Sequence, residues 1–138
     1  MNAFNLQPGT VVAIDTSYGV VPVRHFGVLS DRTDQHGVPF VFNASQRSGH
    51  TLEEHWNVFL DGRQGFRVDL WGGLHSHQVV ARARQKLGLP WDLLSWNCEH
   101  YIRWCHGLEP ESPQVQAGVG IALRTAAIIG IGVALARG

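Results

Sequence analysis

The chain is short of cysteine, of net charge and of clustered basic residues, and each shortage excludes something. Its 138 residues hold only two cysteines, Cys98 and Cys105. They fall on one predicted helix, about two turns or 10 Å apart along its axis, which is beyond the reach of a disulfide. A disulfide framework is therefore excluded, and both are expected to be free thiols, as in a reducing compartment. Eleven Lys and Arg balance eleven Asp and Glu, for a formal net charge of zero. Arg82, Arg84 and Lys86 share one predicted helix and read as its solvated face, so no nucleic-acid partner is expected. The N-terminal stretch lacks the basic region and apolar core of a secretory signal, which makes the expected location cytoplasmic. No internal repeat is present, and the length suits one domain rather than two.

What is there begins with short β-rich runs. Pro8-Gly9 is a turn, and Thr10 to Ile14 is β-branched and apolar, closed by Asp15-Thr16-Ser17. Val20 to Ser30 and Val38 to Ala44 flank a polar loop, Asp31 to Gly37, and read as an antiparallel hairpin. With that loop, paired residue numbers sum to about 68, which sets His25 opposite Asn43 on one side of the sheet. Phe26, Val28, Phe40 and Phe42 then form the opposite, apolar face. Leu52 to Leu60 predicts a short helix with Thr51 as N-cap and Glu53 and Glu54 in its first turn, and Phe66 to Leu70 alternates as another strand. A clearer helix runs from His77 to Leu87, capped by Ser76 and stopped by Gly88. The expected fold class is α+β: a small antiparallel sheet of four or five strands, with two or three helices, packed against a helix that carries a nucleophile.

That helix is the chemically suggestive element. In Asn97-Cys98-Glu99-His100-Tyr101 the asparagine reads as an N-cap, Tyr101, Ile102, Cys105 and Leu108 have helical spacing, and Gly107 is the stop. A thiol in a first helical turn faces the positive end of the macrodipole, so the Cys98 pKa is expected to fall. The alternative is a small buried hydrophobe. A cysteine enzyme needs a thiolate, a base that later acts as an acid, and a group that holds the base; Cys98, His25 and Asn43 match those roles. The backbone N–H of Cys98 supplies one oxyanion donor, and no pattern identifies a second. Trp91, Trp96 and Trp104 flank the nucleophile, with core packing favoured over a groove lining. Glu99 and His100 suit the first turn. His36 reads as a turn residue, and His75 and His77 as surface residues.

Two other features bear on partners. Cys98, His100, Cys105 and His106, with His75 and His77, include metal-ligating types, yet there is no tight Cys-x-x-Cys pair and His100 falls on another helical face. No metal and no cofactor is expected. Beyond a polar linker, 109–116, the segment 117–136 is an apolar run broken only by Arg124 and Thr125, close to the length that spans a bilayer. Arg124 near mid-span costs roughly 2.5 to 3.5 kcal/mol on insertion scales. Gly118, Gly120, Gly130 and Gly132 would let helices approach closely in a membrane. The expectation is a hydrophobic tail, 117–138, that either associates with a membrane or forms a packed or disordered soluble tail, following a catalytic domain over residues 1–108.

The string Asn97-Cys98-Glu99-His100-Tyr101, with His25-Phe26-Gly27-Val28 about seventy residues upstream, resembles the lecithin:retinol acyltransferase-like family, a circularly permuted branch of the NlpC-type papain-like superfamily. The likeness spans roughly residues 8 to 108. It implies a thiol acyltransferase or phospholipase: Cys98 takes an acyl group from a lipid ester as a thioester and passes it to an acceptor or to water, with His25 as base. The family carries a second histidine on the next strand, and here Asn43 stands at that position. Asparagine orients an imidazole but cannot carry its proton, so the resemblance implies a Cys-His-Asn site acting on a lipid or acyl substrate. The wider superfamily also cleaves peptide and isopeptide bonds, which keeps a peptidase or amidase open beside a non-catalytic binding domain on the same fold.

Overall fold

A computed structural model describes residues 5–118 of the chain. Five antiparallel strands form one sheet: β1 Val11–Tyr18, β2 Val21–Thr33, β3 Pro39–Ser45, β4 His50–His55 and β5 Phe66–Val68, in the spatial order β4-β3-β2-β1-β5. Among the described residues three complete helices accompany it, α1 Trp56–Leu60, α2 Ser76–Gln85 and α3 Cys98–Cys105, and residues 113–118, partly within the segment read as a linker, are helical as well. The expected α+β class, with its small antiparallel sheet and few helices, is the one observed. Among the described residues no helix is long and apolar enough to cross a membrane. Of the segment read as a hydrophobic tail, 119–138 lies outside the described residues.

The sheet is covered on both faces, and period-2 alternation divides its side chains between two cores. Val11, Val28, Phe42 and Ala44 point to one face and pack with Val79, Val80 and Ala83 of α2 and Tyr101, Ile102 and Cys105 of α3. Val12, Ile14, Leu29 and Val41 point to the other and pack with Trp56 and Phe59 of α1. Each fully buried Val, Leu, Ile or Phe among them contributes roughly 1.5 to 3 kcal/mol on burial. This double cover explains why Val11 to Ile14 is a continuous apolar run rather than an alternating one. Phe40 shares the face of Phe42 but lies beyond both core clusters. Its ring meets His55 edge-on at 5.4 Å and lies beneath the Arg32 guanidinium at 3.9 Å.

Two sequence expectations are corrected here. The segment 52–60 is not one helix: residues 50–55 form β4, paired along β3 from Phe40↔His55 to Ser45↔His50, and only Trp56–Leu60 is helical. Partners distant in sequence override the local helix signal of Glu53 and Glu54. Glu53 accepts from Ser30 and pairs with Arg32, Glu54 pairs with Arg47, and Thr51, the expected N-cap, accepts from the indole N–H of Trp96 at 2.8 Å. The hairpin register differs as well. The pairs are Val28↔Phe42, Leu29↔Val41 and Thr33↔Pro39, with a shift between Leu29 and Thr33, so His25 is not directly opposite Asn43. The turn is tighter than the polar run suggested, because the Asp34 carboxylate accepts the backbone N–H groups of both His36 and Val38.

One feature of the register positions the site. The β2–β3 ladder ends at Val28↔Phe42, while β2 continues to Val21, paired along that stretch with β1. The backbone of Arg24 to Phe26 is therefore open on the side where β3 has turned away, and the N-terminus of α3 docks there.

Candidate active site

The local sequence builds the start of α3 as a reciprocal cap. Asn97 is extended, its Oδ1 accepts from the backbone N–H of Glu99 at 2.9 Å, and its Nδ2 donates to the Leu93 carbonyl at 2.9 Å. His100 completes the box, with Nδ1 accepting the Asn97 backbone N–H at 2.9 Å. Cys98 is the first helical residue. Tyr101 locks the next turn by donating its hydroxyl to the Ala83 carbonyl at 2.7 Å.

The thiol itself is in a different electrostatic state from the one its helical position suggested. Cys98 is 9% exposed, and burial pushes its pKa up to about 12. The neighbouring Glu99 carboxylate pushes the same way, while the amides of Phe26, Glu99 and Cys98 itself oppose it without reversing it. Desolvation of the charged form outweighs the helix terminus. The expected low pKa is thus corrected: in this closed arrangement Cys98 rests as a thiol, its Sγ directed at the Arg24 carbonyl 3.9 Å away.

Glu99 is buried, and the chain that follows α3 holds it there. Ser112 donates its hydroxyl to Oε1 at 2.7 Å, and the Gln114 backbone N–H donates to the same oxygen at 3.0 Å. The Gln114 side chain then pairs with Arg24 twice, accepting from its N–H at 2.7 Å and donating to its carbonyl at 2.9 Å. Residues read as linker thus supply a side-chain amide that occupies the open edge of β2 beside the thiol.

On the α1 face of the sheet, His25 and Asn43 meet diagonally. His25 Nε2 lies 3.0 Å from Asn43 Oδ1, and the imidazole tilts against the Phe59 ring at 5.4 Å. Gly27, two residues along β2 from His25, has no room for a side chain: a Cβ would fall 2.5 Å from Val41 and 3.1 Å from the Phe59 ring. Asn43 is fully buried, and its Nδ2 donates to Glu54 Oε1 at 3.0 Å. Glu54 in turn is held by Arg47 through contacts of 3.2 and 3.1 Å. Burial lowers the pKa of His25, with Asn43 opposing and the charge of Arg47 assisting, so the imidazole is neutral at neutral pH.

Cys98 opens a helix on the α2 side of the sheet, whereas the His25 side chain points to the α1 side, against Phe59. Both line one cavity of about 450 Å³, walled on its apolar side by Ile14, Tyr18, Phe59, Trp91 and Leu93. The structure thus brings the three predicted residues to one locality, His25 and Asn43 in direct contact. Among the described residues Cys98 hydrogen-bonds to the Arg24 carbonyl and not to the imidazole. Sequence reasoning missed Glu54, Arg47, Ser112 and Gln114. Only the extended reading of residues 50–55 would have brought Glu54 to the Asn43 face.

The other singled-out residues have structural partners. His106 donates through Nε2 to the Gly9 carbonyl at 2.8 Å, and His75 and His77 stack on each other at 5.6 Å. Among the described residues no group of three or more His, Cys, Asp or Glu side chains converges on a metal position. Trp91 lines the cavity and stacks on Tyr18, Trp96 packs in the core, and Trp104 lies beneath Arg82.

No family profile matches the chain. Among curated proteins it is similar to lecithin retinol acyltransferase of Rattus norvegicus, 46% identical over 44 residues. The matched stretch is 31% of this chain and 19% of that protein, so the likeness spans about a fifth of the relative's length. It supports a partial relationship to an acyltransferase.

Proposed function

We propose that the protein is a thiol-dependent acyltransferase or hydrolase that forms an acyl thioester on Cys98, most readily from a lipid ester or amide. The observation that carries this reading is the cavity lined by both a capped helix-terminal cysteine and His25, whose imidazole is held from behind by the buried Asn43. The partial likeness to lecithin retinol acyltransferase supports acyl transfer, and the apolar wall supports an acyl chain as occupant.

In the proposed reaction His25 Nδ1 takes the Cys98 proton as Sγ attacks the acyl carbonyl carbon, giving a tetrahedral oxyanion. The backbone N–H of Cys98 is one donor to that oxyanion. The imidazolium then protonates the leaving alkoxide or amine, the carbonyl re-forms, and a thioester remains. Water or a second acceptor, deprotonated by the same imidazole, attacks the thioester and restores the thiol. Proton transfer accompanies attack, because the thiol rests protonated and the imidazole neutral. Asn43 holds the imidazole and stays neutral throughout.

Intact-mass measurement after incubation with mixed phospholipid vesicles tests the proposal. The expected result is one acyl increment with release of lysolipid, abolished in Cys98→Ala and His25→Ala. No adduct and no lysolipid would refute lipid acyl transfer, and processing of peptide or isopeptide substrates would then identify an amidase. The protonated thiol without an imidazole partner favours one further outcome: lipid retained unmodified, which would mark a binding domain.

A further inference from the structure

We infer that Glu54, anchored by Arg47, is the positioning residue that sets the tautomer of His25. Each atom of the chain of contacts constrains the next. A carboxylate has no proton to give, so the group that Asn43 presents to Glu54 Oε1 must be its NH2, at 3.0 Å. The Asn43 oxygen is thereby turned toward His25, where it can only accept, at 3.0 Å. The proton of the neutral imidazole then sits on Nε2 and leaves Nδ1 bare. A bare Nδ1 is the form that takes a proton from a thiol.

Without the carboxylate nothing distinguishes the two ends of the amide. Asn43 turned by half a rotation would offer its NH2 to Nε2, place the imidazole proton on Nδ1 and remove the base. Glu54 is well placed to prevent this. Its side chain is only 9% exposed, and Arg47 reaches both of its oxygens from the solvent side. Asn43, Arg47 and Glu54 all belong to the β3–β4 hairpin, so the device is built within one supersecondary unit.

The catalytic consequence rests on the proposed role of His25 as base, whereas the tautomer does not, and the test separates the two. Long-range proton–nitrogen correlation on protein labelled with 15N-histidine reads which His25 nitrogen is protonated. The native protein is expected to show Nε2–H alone. Glu54→Met, similar in size but without an acceptor, is expected to shift the ratio of Nε2–H to Nδ1–H by about tenfold toward Nδ1–H, the worth of one hydrogen bond to a charged group. Glu54→Gln keeps an acceptor oxygen and is expected to retain the native tautomer. Arg47→Met is expected to shift the ratio in the same direction by less, and it decides the question if Glu54→Met fails to fold. An unchanged tautomer in the folded variants overturns the inference and leaves acyl transfer standing. A native protein that forms no thioester refutes acyl transfer and leaves the tautomer result intact.

Discussion

Alkylating Cys98 across a pH range asks directly in which protonation state the site rests. With the thiol pushed from an ordinary 9.0 up to about 12 by burial, its thiolate fraction at neutral pH is roughly a thousandfold below that of a free cysteine. Only the thiolate reacts, so the iodoacetamide rate is expected to rise about tenfold per pH unit from 6 to 9 without levelling. Peptide mapping by mass spectrometry assigns the label to Cys98 and separates it from Cys105, which is also buried and pushed up to about 12. An imidazolium–thiolate pair would behave in the opposite way. It would give a rate already high at pH 6 and flat to pH 8, because the thiolate would be fully formed throughout. A plateau below pH 8 in the folded, unliganded protein would refute the argument that desolvation outweighs the helix terminus. It would also make His25 a standing cation rather than a waiting base.

Stability responds to pH at both ends. Burial depresses the pKa values of His25, His100 and His106, so the unfolded chain takes up protons first as pH falls below 6.5, and the urea midpoint at pH 5.5 is expected below that at pH 7.5. Cys98 and Cys105 act in the other direction: their stabilisation is complete below 9.0 and is lost as pH rises from there toward about 12, so the midpoint falls again in alkali. A midpoint flat from pH 5.5 to 10 would contradict both. Gly27→Ala drives a Cβ against Val41 and Phe59 and is expected to cost about 1 to 3 kcal/mol. That moves the urea midpoint down by roughly 1 M, and an unchanged midpoint would show that Phe59 yields freely. Ser112→Ala removes the hydroxyl that donates to the buried Glu99 carboxylate, worth about 1.5 to 3 kcal/mol. It is expected to speed Cys98 alkylation at least about tenfold at fixed pH, and an unchanged rate would show that Ser112 does not guard the thiol.

What could be read from the sequence divides by the range of the interactions involved. The cap of α3 was legible because Asn97, Glu99 and His100 act within one turn, and the Gly107 stop is equally local. The side of the sheet shared by His25 and Asn43 was legible from alternation, whereas their register was not. The Asp34 turn and the shift between Leu29 and Thr33 each add an offset that no periodicity carries. Strand β4 was misread because Glu53 and Glu54 are good first-turn residues in isolation, and their partners Ser30, Arg32, Asn43 and Arg47 come from other elements. The state of Cys98 was misread for a related reason. A helix N-terminus is visible in sequence, but the removal of water by Ser112, Gln114 and the edge of β2 is not.

Gln114 reaches Arg24 across ninety residues of chain, and it does so with a single side-chain amide in place of a strand. A bond of that kind closes a long loop for little local reward, so it forms late and opens early. The segment around Ser112 and Gln114 is therefore expected to open as a unit before the sheet does. Amide exchange at Gln114 is expected to run far ahead of exchange in β1 and β2. Cys98 alkylation is then expected to follow the opening of this segment, with the amides of β1 and β2 still protected.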